Sequence, residues 1–176
     1  NDTLSVTDKW HVNAGARLNY TKVDNIDTLR GSHSVSQQSL TAKDSYVRLN
    51  PTLGLTYTPQ DKQAIYTSYS ESSRAPTSIE LGCSNPNFPC LLPAAMADDP
   101  PLKQVVAKTY DLGAKGNLGG NLRWNASVYQ AVNHNDLQFI HSGATTNSSV
   151  GYFDNVGKTK RQGLDLGLSA NIDKLT

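Results

Sequence analysis

The sequence lacks any long hydrophobic run. Its 176 residues are 37% hydrophobic and have a mean hydropathy of −0.48. No stretch of about 18 consecutive apolar residues occurs, which excludes a transmembrane helix. It does not exclude a transmembrane β-barrel, because barrel strands alternate apolar and polar residues and so keep the average hydropathy low. The length suits one ordinary domain.

The sequence also lacks an excess of charge of either sign. Sixteen Lys and Arg residues stand against fifteen Asp and Glu residues, for a formal net charge of +1. No cluster of basic residues is present, so the sequence gives no argument for nucleic-acid binding. It begins at Asn1 without an initiator Met or a signal peptide. We therefore expect either a processed chain or a piece of a longer one.

Cysteine is scarce, and the two residues present are Cys83 and Cys90, in a segment rich in Pro, Asn and Ser. Their spacing suits a small disulfide-closed loop in an oxidising compartment, worth about 2–3 kcal/mol in the chain-entropy model. Two unpaired thiols are the alternative. No metal site is predicted, because no second cysteine pair is nearby and no histidine stands at ligand spacing. Three of the four histidines fall in predicted loops and one on a polar strand face: His33, His134, His141 and His11.

What the sequence does contain is a period-two alternation of apolar and polar residues. From Trp10 to Tyr20 the even positions are apolar and the odd positions are polar, and from Val47 to Tyr57 the parity is reversed. Shorter segments with the same character are 63–70, 106–115, 122–129 and 164–172. We therefore predict six strands, of which the third, at 63–70, has Tyr66 and Tyr69 on opposite faces and the other five have one apolar face. Pro51 interrupts the second strand and is expected at a bulge or where the strand leaves the membrane.

The predicted connections alternate in length. Long ones at 25–43, 71–104 and 133–150 alternate with short turns at 59–62 and 116–121. This rhythm is typical of outer-membrane barrels, which have short periplasmic turns and long extracellular loops. Strands of about 9–11 residues also match a tilted membrane crossing. Aromatic residues near the strand ends are expected in interfacial girdles or in cross-strand packing; they are Trp10, Tyr20, Tyr46, Tyr57, Tyr110 and Trp124.

The predicted fold class is therefore all-β: antiparallel, up-and-down transmembrane barrel strands. Six strands cannot close a bacterial barrel, since the smallest of these have about eight. An open sheet in lipid leaves unpaired backbone groups at both edges. We expect these strands to belong to a larger barrel.

Four segments resemble a known family. Residues 68–81 read Ser-Tyr-Ser-Glu-Ser-Ser-Arg-Ala-Pro-Thr-Ser-Ile-Glu-Leu, in which an aromatic strand runs into Arg-x-Pro-Thr and then Glu-Leu. Similar strand and turn segments are 49–59, 109–116 and 155–165. In this order they resemble the barrel of TonB-dependent outer-membrane receptors, over roughly Trp10 to Ile172. Asp111 departs from the pattern, because the family often has Glu there.

The resemblance implies a plugged barrel of about 22 strands in the bacterial outer membrane. Residues 1–176 would form part of that barrel, and the plug domain is not in the sequence. It further implies active uptake of a scarce ligand, most often a ferric siderophore or another iron complex. The implied partners are outer-membrane lipid, the small-molecule ligand and a TonB complex that acts through the missing plug. The alternatives are a passive porin, an adhesin-type barrel, or a soluble all-β binding module whose apolar faces meet as a core.

Three residues are candidates for contact with the ligand. The resemblance places Arg74 near the extracellular end of a strand, where its guanidinium could bind an anionic ligand or a plug carboxylate. An ion pair with Glu71 or Glu80 that orders the loop is the alternative. Glu80 and Phe88 are the other two candidates.

Polar-face residues are expected to pair with a neighbouring strand or with the plug; they are Arg17, Arg48, Arg123 and Asp111. The sequence contains neither a catalytic constellation nor a phosphate-binding glycine loop. No enzyme activity and no cofactor are predicted.

Overall fold

The computed structural model describes residues 2–26, 42–81, 90–91, 102–118, 121–141 and 150–170. These residues form ten strands and one short helix, in chain order β1 (Asp2–Ser5), β2 (Trp10–Asn25), β3 (Ala42–Tyr57), β4 (Gln63–Arg74), α1 (Ser78–Leu81), β5 (Cys90–Leu91), β6 (Val105–Leu118), β7 (Leu122–His134), β8 (Leu137–His141), β9 (Val150–Asn155) and β10 (Lys158–Ala170). Seven strands form one antiparallel sheet in the order β1-β2-β3-β4-β6-β7-β10, and β5, β9 and β8 form a small second sheet. The predicted antiparallel, up-and-down all-β fold is confirmed, and the sheet is not closed within the described residues.

The register of the large sheet brings the apolar positions of successive strands onto one face. Directly opposite residues of antiparallel strands share a face, and Trp10 lies opposite Tyr57 while Leu18 lies opposite Leu49. A single row of this apolar face crosses six strands and consists of Val12, Leu55, Thr67, Leu112, Val128 and Leu164. The other side, here called the polar face, carries the alternate positions. The parity predicted from sequence is therefore confirmed.

The apolar face is not covered by any described part of the chain. Leu166 is 73% exposed and Leu18 is 67% exposed. Among the described residues only four hydrophobic side chains are buried, and all four flank the long connection between β4 and β6: Leu81, Leu102, Val105 and Val106. The soluble-module alternative required the apolar faces to meet as a core, and the described strands form no such core. A lipid-facing surface explains the exposure instead.

The apolar band has the height of a bilayer crossing. From Trp10 to Tyr20 the strand advances ten residue steps, which at about 3.3 Å each is roughly 33 Å along the strand. A tilt of about 40–45° reduces this to roughly 24 Å across the membrane, close to the apolar band of outer-membrane barrels. Beyond Tyr20 the same face turns polar, because Lys22 and Asp24 form an ion pair there at 2.8 Å.

The strands are longer than the sequence suggested. β2 and β3 contain 16 residues each, and β4 continues to Arg74 rather than ending near Ser70. The ladder between β4 and β6 runs unbroken from Gln63 opposite Gly116 to Arg74 opposite Val105. These strands extend past the apolar band, where alternation of hydrophobicity no longer reveals them.

The prediction of one long connection from Asn133 to Val150 is wrong for its first part, which forms strands. β7 continues to His134, and β8 then pairs with β9. Asn135 has a positive φ of 54° and donates its N–H to the Gly157 carbonyl at 2.9 Å, which fixes the bend between the two sheets. The sequence predicts His134 and His141 in loops, and that prediction is wrong, because both lie in strands. β8 was missed because its apolar residues do not alternate with polar ones; β1 was also missed.

The turn predicted at residues 59–62 is confirmed. Its last residue, Lys62, has a positive φ of 72°, and the Gln63 N–H donates to the Gln60 carbonyl at 3.2 Å. The turn predicted at 116–121 is shorter than expected, since β6 extends to Leu118 and β7 begins at Leu122. These two tight connections lie at the same end of the sheet, here called the turn end.

Two glycines on the polar face make room for tyrosine rings. A Cβ at Gly113 would lie 2.5 Å from Cζ of Tyr66, and one at Gly163 would lie 2.4 Å from Cε1 of Tyr129. Each ring lies across the backbone of the glycine opposite it in the ladder. Glycine in a strand interior commonly marks this kind of close approach.

Pairing changes at Pro51. The ladder between β3 and β4 ends at Thr52, the next residue, which lies opposite Ser70. Proline has no N–H to donate, and the end of the ladder beside it means that no bond to β4 is lost.

Tyr46, predicted as a girdle residue, lies at a polar-face position, where its hydroxyl donates to the Leu102 carbonyl at 3.2 Å. The girdle assignment of Tyr46 is wrong.

Candidate functional site

A bidentate ion pair joins the C-terminal end of β4, which is the end away from the tight turns, to the helix α1. Arg74, the last residue of the strand, donates from Nη1 to Oε2 of Glu80 at 2.7 Å and from Nη2 to Oε1 at 3.0 Å. Of the two pairings considered for Arg74, with Glu71 or with Glu80, the structure forms the second. Two parallel N–H···O bonds fix the orientation of both groups. Arg74 and Glu80 are therefore brought together, with the guanidinium half exposed.

Glu80 also caps the helix that follows. The Thr77 N–H donates to Glu80 Oε2 at 2.8 Å, and the Glu80 N–H donates back to Thr77 Oγ1 at 3.3 Å. This reciprocal arrangement is a capping box, in which Thr77 is the N-cap and Glu80 the third helical residue. The first backbone bond of α1 runs from the Leu81 N–H to the Thr77 carbonyl at 2.9 Å. One carboxylate thus joins the strand end to the helix start.

The charge of Glu80 is stabilised by these donors. Burial raises the pKa of the Glu80 carboxyl, but hydrogen bonds from Arg74 and from Thr77 outweigh that effect and hold the pKa below its ordinary value. The carboxylate is ionised at neutral pH, and both of its oxygens accept from Arg74 or Thr77.

A second carboxylate, Glu71, links β3, β4 and β6. Its Oε2 accepts from Nη2 of Arg48 at 2.7 Å, and its Oε1 accepts from the Tyr69 hydroxyl and lies 3.6 Å from Nζ of Lys108. The expectation that Arg48 pairs with a neighbouring strand is confirmed. Glu71 is well buried among these groups, so its charge is shared by three donors.

Polar side chains also converge where the β3–β4 ladder has ended. Asn50 is 5% exposed and donates to Oγ of Ser73 at 3.1 Å, and Asn19 donates to the same oxygen at 3.4 Å. Three buried polar atoms have no hydrogen-bond partner within the part of the chain that the structure describes: Arg48 Nε, Asn50 Oδ1 and Asp111 Oδ1. Buried polar atoms are normally bonded, so these three are open to a further polar partner.

The Asn155 side chain joins three segments at the same end of the sheet. Its Oδ1 accepts from the Lys103 N–H at 2.8 Å, and its Nδ2 donates to the carbonyls of Lys103 at 3.0 Å and Asn135 at 2.8 Å. It therefore holds the approach to β6 against the bend after β7. The sequence marked Asn155 only as part of a family segment and gave no sign of these contacts. Thr77 was also missed, although the Thr-x-x-Glu spacing is a recognisable capping signal.

Some predicted site residues lie outside the described residues. They include Phe88, Cys83 and His33; for Cys90 only the backbone, in β5, is described. Among the side chains that are described, no three His, Cys, Asp or Glu residues come close enough to hold a metal ion. No helix in the described ranges has the length and hydrophobicity needed to cross a membrane.

Comparison with known proteins gives a consistent result. A family model described as TonB-dependent receptor-like β-barrel matches residues 1–176. A probable TonB-dependent siderophore receptor of Acinetobacter baumannii, PiuA, is 24% identical over 172 residues, which cover 97% of this chain and 21% of that protein.

Solved structures show the same fold. The copper transporter OprC has a TM-score of 0.73 at 17% identity, over 97% of this chain and 25% of its own. The alcaligin outer-membrane receptor FauA from Bordetella pertussis has a TM-score of 0.59 at 21% identity, over 97% of this chain and 26% of its own. The chain thus spans about a fifth to a quarter of the length of these relatives.

Proposed function

Because this chain belongs to the TonB-dependent receptor-like β-barrel family, whose members lie in the bacterial outer membrane, we propose that it is a wall segment of an active uptake receptor. The proposed ligand is an iron complex, most often a ferric siderophore, and the proposed uptake is driven by an inner-membrane energy-coupling complex through TonB. The observation that carries the proposal is the match of the family's barrel model to all of residues 1–176.

The structure is compatible with that role. One face of the sheet carries a largely apolar band suited to lipid, and the other carries polar groups suited to a water-filled or plugged lumen. The names of the siderophore receptor PiuA and the alcaligin receptor FauA support an iron complex as the ligand class. The copper transporter OprC has the same fold, so copper is the alternative to iron that has to be tested.

We propose a specific division of labour within the whole receptor. Residues 1–176 supply part of the barrel, and a plug elsewhere in the receptor contacts TonB. The family consists of transport receptors, and we propose no catalytic role for this chain. Arg74 and Glu80 act at the ligand's entry side by holding α1 in place, while contact of Phe88 with ligand and the Cys83–Cys90 disulfide stay predictions.

The test is growth under iron limitation. The full-length receptor is expressed in a bacterial strain without other ferric-siderophore receptors, and growth is measured with ferric catecholate and ferric hydroxamate siderophores as sole iron sources. The expected result is growth on at least one of them, lost when the strain's TonB is deleted.

The same experiment separates the passive porin from the active receptor. Uptake that persists without TonB would contradict active transport and would favour a passive barrel, because diffusion through a pore needs no energy coupling. An absence of growth on every iron source, with the receptor present at the cell surface, would overturn the iron-complex assignment. Radiolabelled copper uptake in the same strain then tests the ligand class of OprC.

A further inference from the structure

The outward side of β10, which carries the apolar face, changes from apolar to basic along the strand. Its apolar part consists of three exposed leucines, Leu164, Leu166 and Leu168. The next outward position is Gln162, whose side chain donates to Gln130 of β7 at 2.9 Å, and beyond it lie Lys160 and Lys158. The ladder between β7 and β10 is unbroken over these positions, so the leucines and the lysines share one face. Both lysines are exposed, and neither forms an ion pair within the described residues.

The same change occurs on β2 and β3. Lys22 is the first outward residue of β2 beyond Tyr20, and Lys43 of β3 lies opposite Asp24 on the same face. Asp24 pairs with Lys22 at 2.8 Å. Two lysines and one carboxylate therefore stand together here, which leaves one positive charge in excess.

Positive charge prevails at the outward positions beyond the apolar band. Across β2, β3, β4, β6, β7 and β10 these positions hold five lysines and two carboxylates, namely Lys22, Lys43, Lys108, Lys158, Lys160, Asp24 and Glu71. Glu71 is already held by Arg48 and Lys108. Towards the turn end, the outward positions of the same strands are uncharged and include Trp10, Tyr57, Gln63 and Trp124. The two margins of the lipid-facing surface therefore differ in charge.

The basic margin lies at the end of the sheet that faces the outside of the cell. Outer-membrane barrels have their tight turns in the periplasm and their long connections outside, and the lysines lie away from the tight turns. The outer leaflet of that membrane is built largely of phosphorylated glycolipid. Lysine stems can lie along apolar surface while the ammonium groups reach outwards, and each ammonium group is attracted to an anionic lipid surface.

We propose that Lys158 and Lys160 bind the phosphate groups of an outer-leaflet glycolipid whose acyl chains lie along the leucines of β10. The inference rests on the outer-membrane orientation that the proposed function uses. The two lysines are two residues apart on one strand, about 7 Å, so both ammonium groups can reach the same phosphate or two neighbouring ones. Because the lysines continue the lipid-facing row of leucines, a lipid suits them better than a soluble anion.

The test is a lipid titration of the full-length receptor in detergent, after copurified lipid has been removed. Lipid A with its phosphates is the probe, a chelator removes divalent cations that could bridge phosphate to carboxylate, and native mass spectrometry counts the lipid molecules bound. We expect Lys158→Gln combined with Lys160→Gln to weaken binding of the first molecule by roughly tenfold or more, since each lysine near an anionic lipid surface contributes about fivefold.

Lipid A without phosphates tests the same contact without any variant. It should bind the unaltered receptor as weakly as phosphorylated lipid A binds the double variant, because the same interaction is missing in both. The matched control variant is Lys115→Gln combined with Arg161→Gln, which removes two charges from polar-face positions of β6 and β10. It should bind phosphorylated lipid A as the unaltered receptor does.

The proposal is overturned if the double variant keeps its affinity, if the control variant loses as much, or if removing the phosphates from the lipid has no effect. Displacement of the lipid by an equal concentration of inorganic phosphate would show a site for a soluble anion and would also overturn it.

Lipid binding and transport are separate measurements. A receptor that supports no growth on iron complexes but shows this lipid dependence would contradict the proposed ligand and leave the lipid site supported. A receptor that takes up iron complexes and binds both forms of lipid A equally would contradict only the lipid site.

Discussion

At Glu80 a single side chain holds together two pieces of backbone. Its carboxylate accepts from Arg74 at the end of β4 and from Thr77 at the start of α1. Leu81, the next residue, is 2% exposed, so the helix is fixed by a polar anchor and an apolar one side by side. The ion pair considered from sequence as the alternative to ligand binding is the arrangement that forms.

The state of this anchor should depend on pH. The folded-state pKa of Glu80 is lowered, so its contribution to stability is fully present above the unfolded pKa, about 4.3, and is lost as the pH falls through the lower folded pKa. We expect the protection factors of the α1 amides, which are corrected for the intrinsic pH dependence of exchange, to fall roughly threefold below about pH 4, since a partly exposed pair is worth under about 1 kcal/mol. Glu80→Gln should show the lowered protection already at neutral pH and little further change in protection with pH. A pH response of equal size in both proteins would contradict the role of Glu80.

Asn155 is expected to matter through its side-chain amide rather than its strand position. Asn155→Ala removes three hydrogen bonds to the main chain and should lower the unfolding free energy by about 1–2 kcal/mol, because water replaces part of what is lost. The melting temperature of the detergent-purified receptor and hydrogen exchange at residues 102–106 measure this. Asn133→Ala, in β7, is the control and should change exchange at residues 102–106 little. Equal effects at both positions would argue against a specific role for Asn155.

At the scale of strands, parity is what the sequence encodes most clearly. β2 and β3 alternate over the apolar band because every second side chain faces lipid. The apolar stretch of β2 begins at Trp10 and that of β3 ends at Tyr57, and these two residues lie opposite each other in the ladder. β8 and β9 lie in the small second sheet, and their apolar residues do not alternate strictly with polar ones, so period-two alternation did not predict them. The contacts of Asn155 could not be predicted either, because Lys103 is 52 residues away in the chain.

The lipid-face assignment predicts a sharp difference between adjacent positions of β2. Ala14 lies in the middle of the apolar band and is exposed, whereas Asn13 points to the polar face over Gly54. Ala14→Arg should cost about 2–4 kcal/mol or block assembly, since a charge is placed near the bilayer midplane. Asn13→Arg should assemble normally. The readout is the heat-modifiable mobility of the folded receptor on gels, and equal behaviour of the two variants would remove the basis for the assignment.

At the scale of the whole molecule, the sheet has two open edges. β1 and β10 end the sheet within the described residues, and β10 alone presents 13 residues on its free side. In lipid each unpaired backbone group costs several kcal/mol, so membranes contain only helices and closed barrels. Strands other than the described ones must therefore cover both edges, which agrees with the small share of each relative that the chain spans.

Residues 1–176 exported alone to the periplasm should therefore fail to enter the outer membrane. We expect the fragment to be extracted by urea and to lack heat-modifiable mobility, because the edges of β1 and β10 have no partners in lipid. Coexpression with the remaining barrel strands of the receptor should restore membrane insertion, and Ala14→Arg in the fragment should prevent that rescue. A fragment that resists urea on its own would mean that several copies close a barrel together, and cross-linking would then reveal an oligomer.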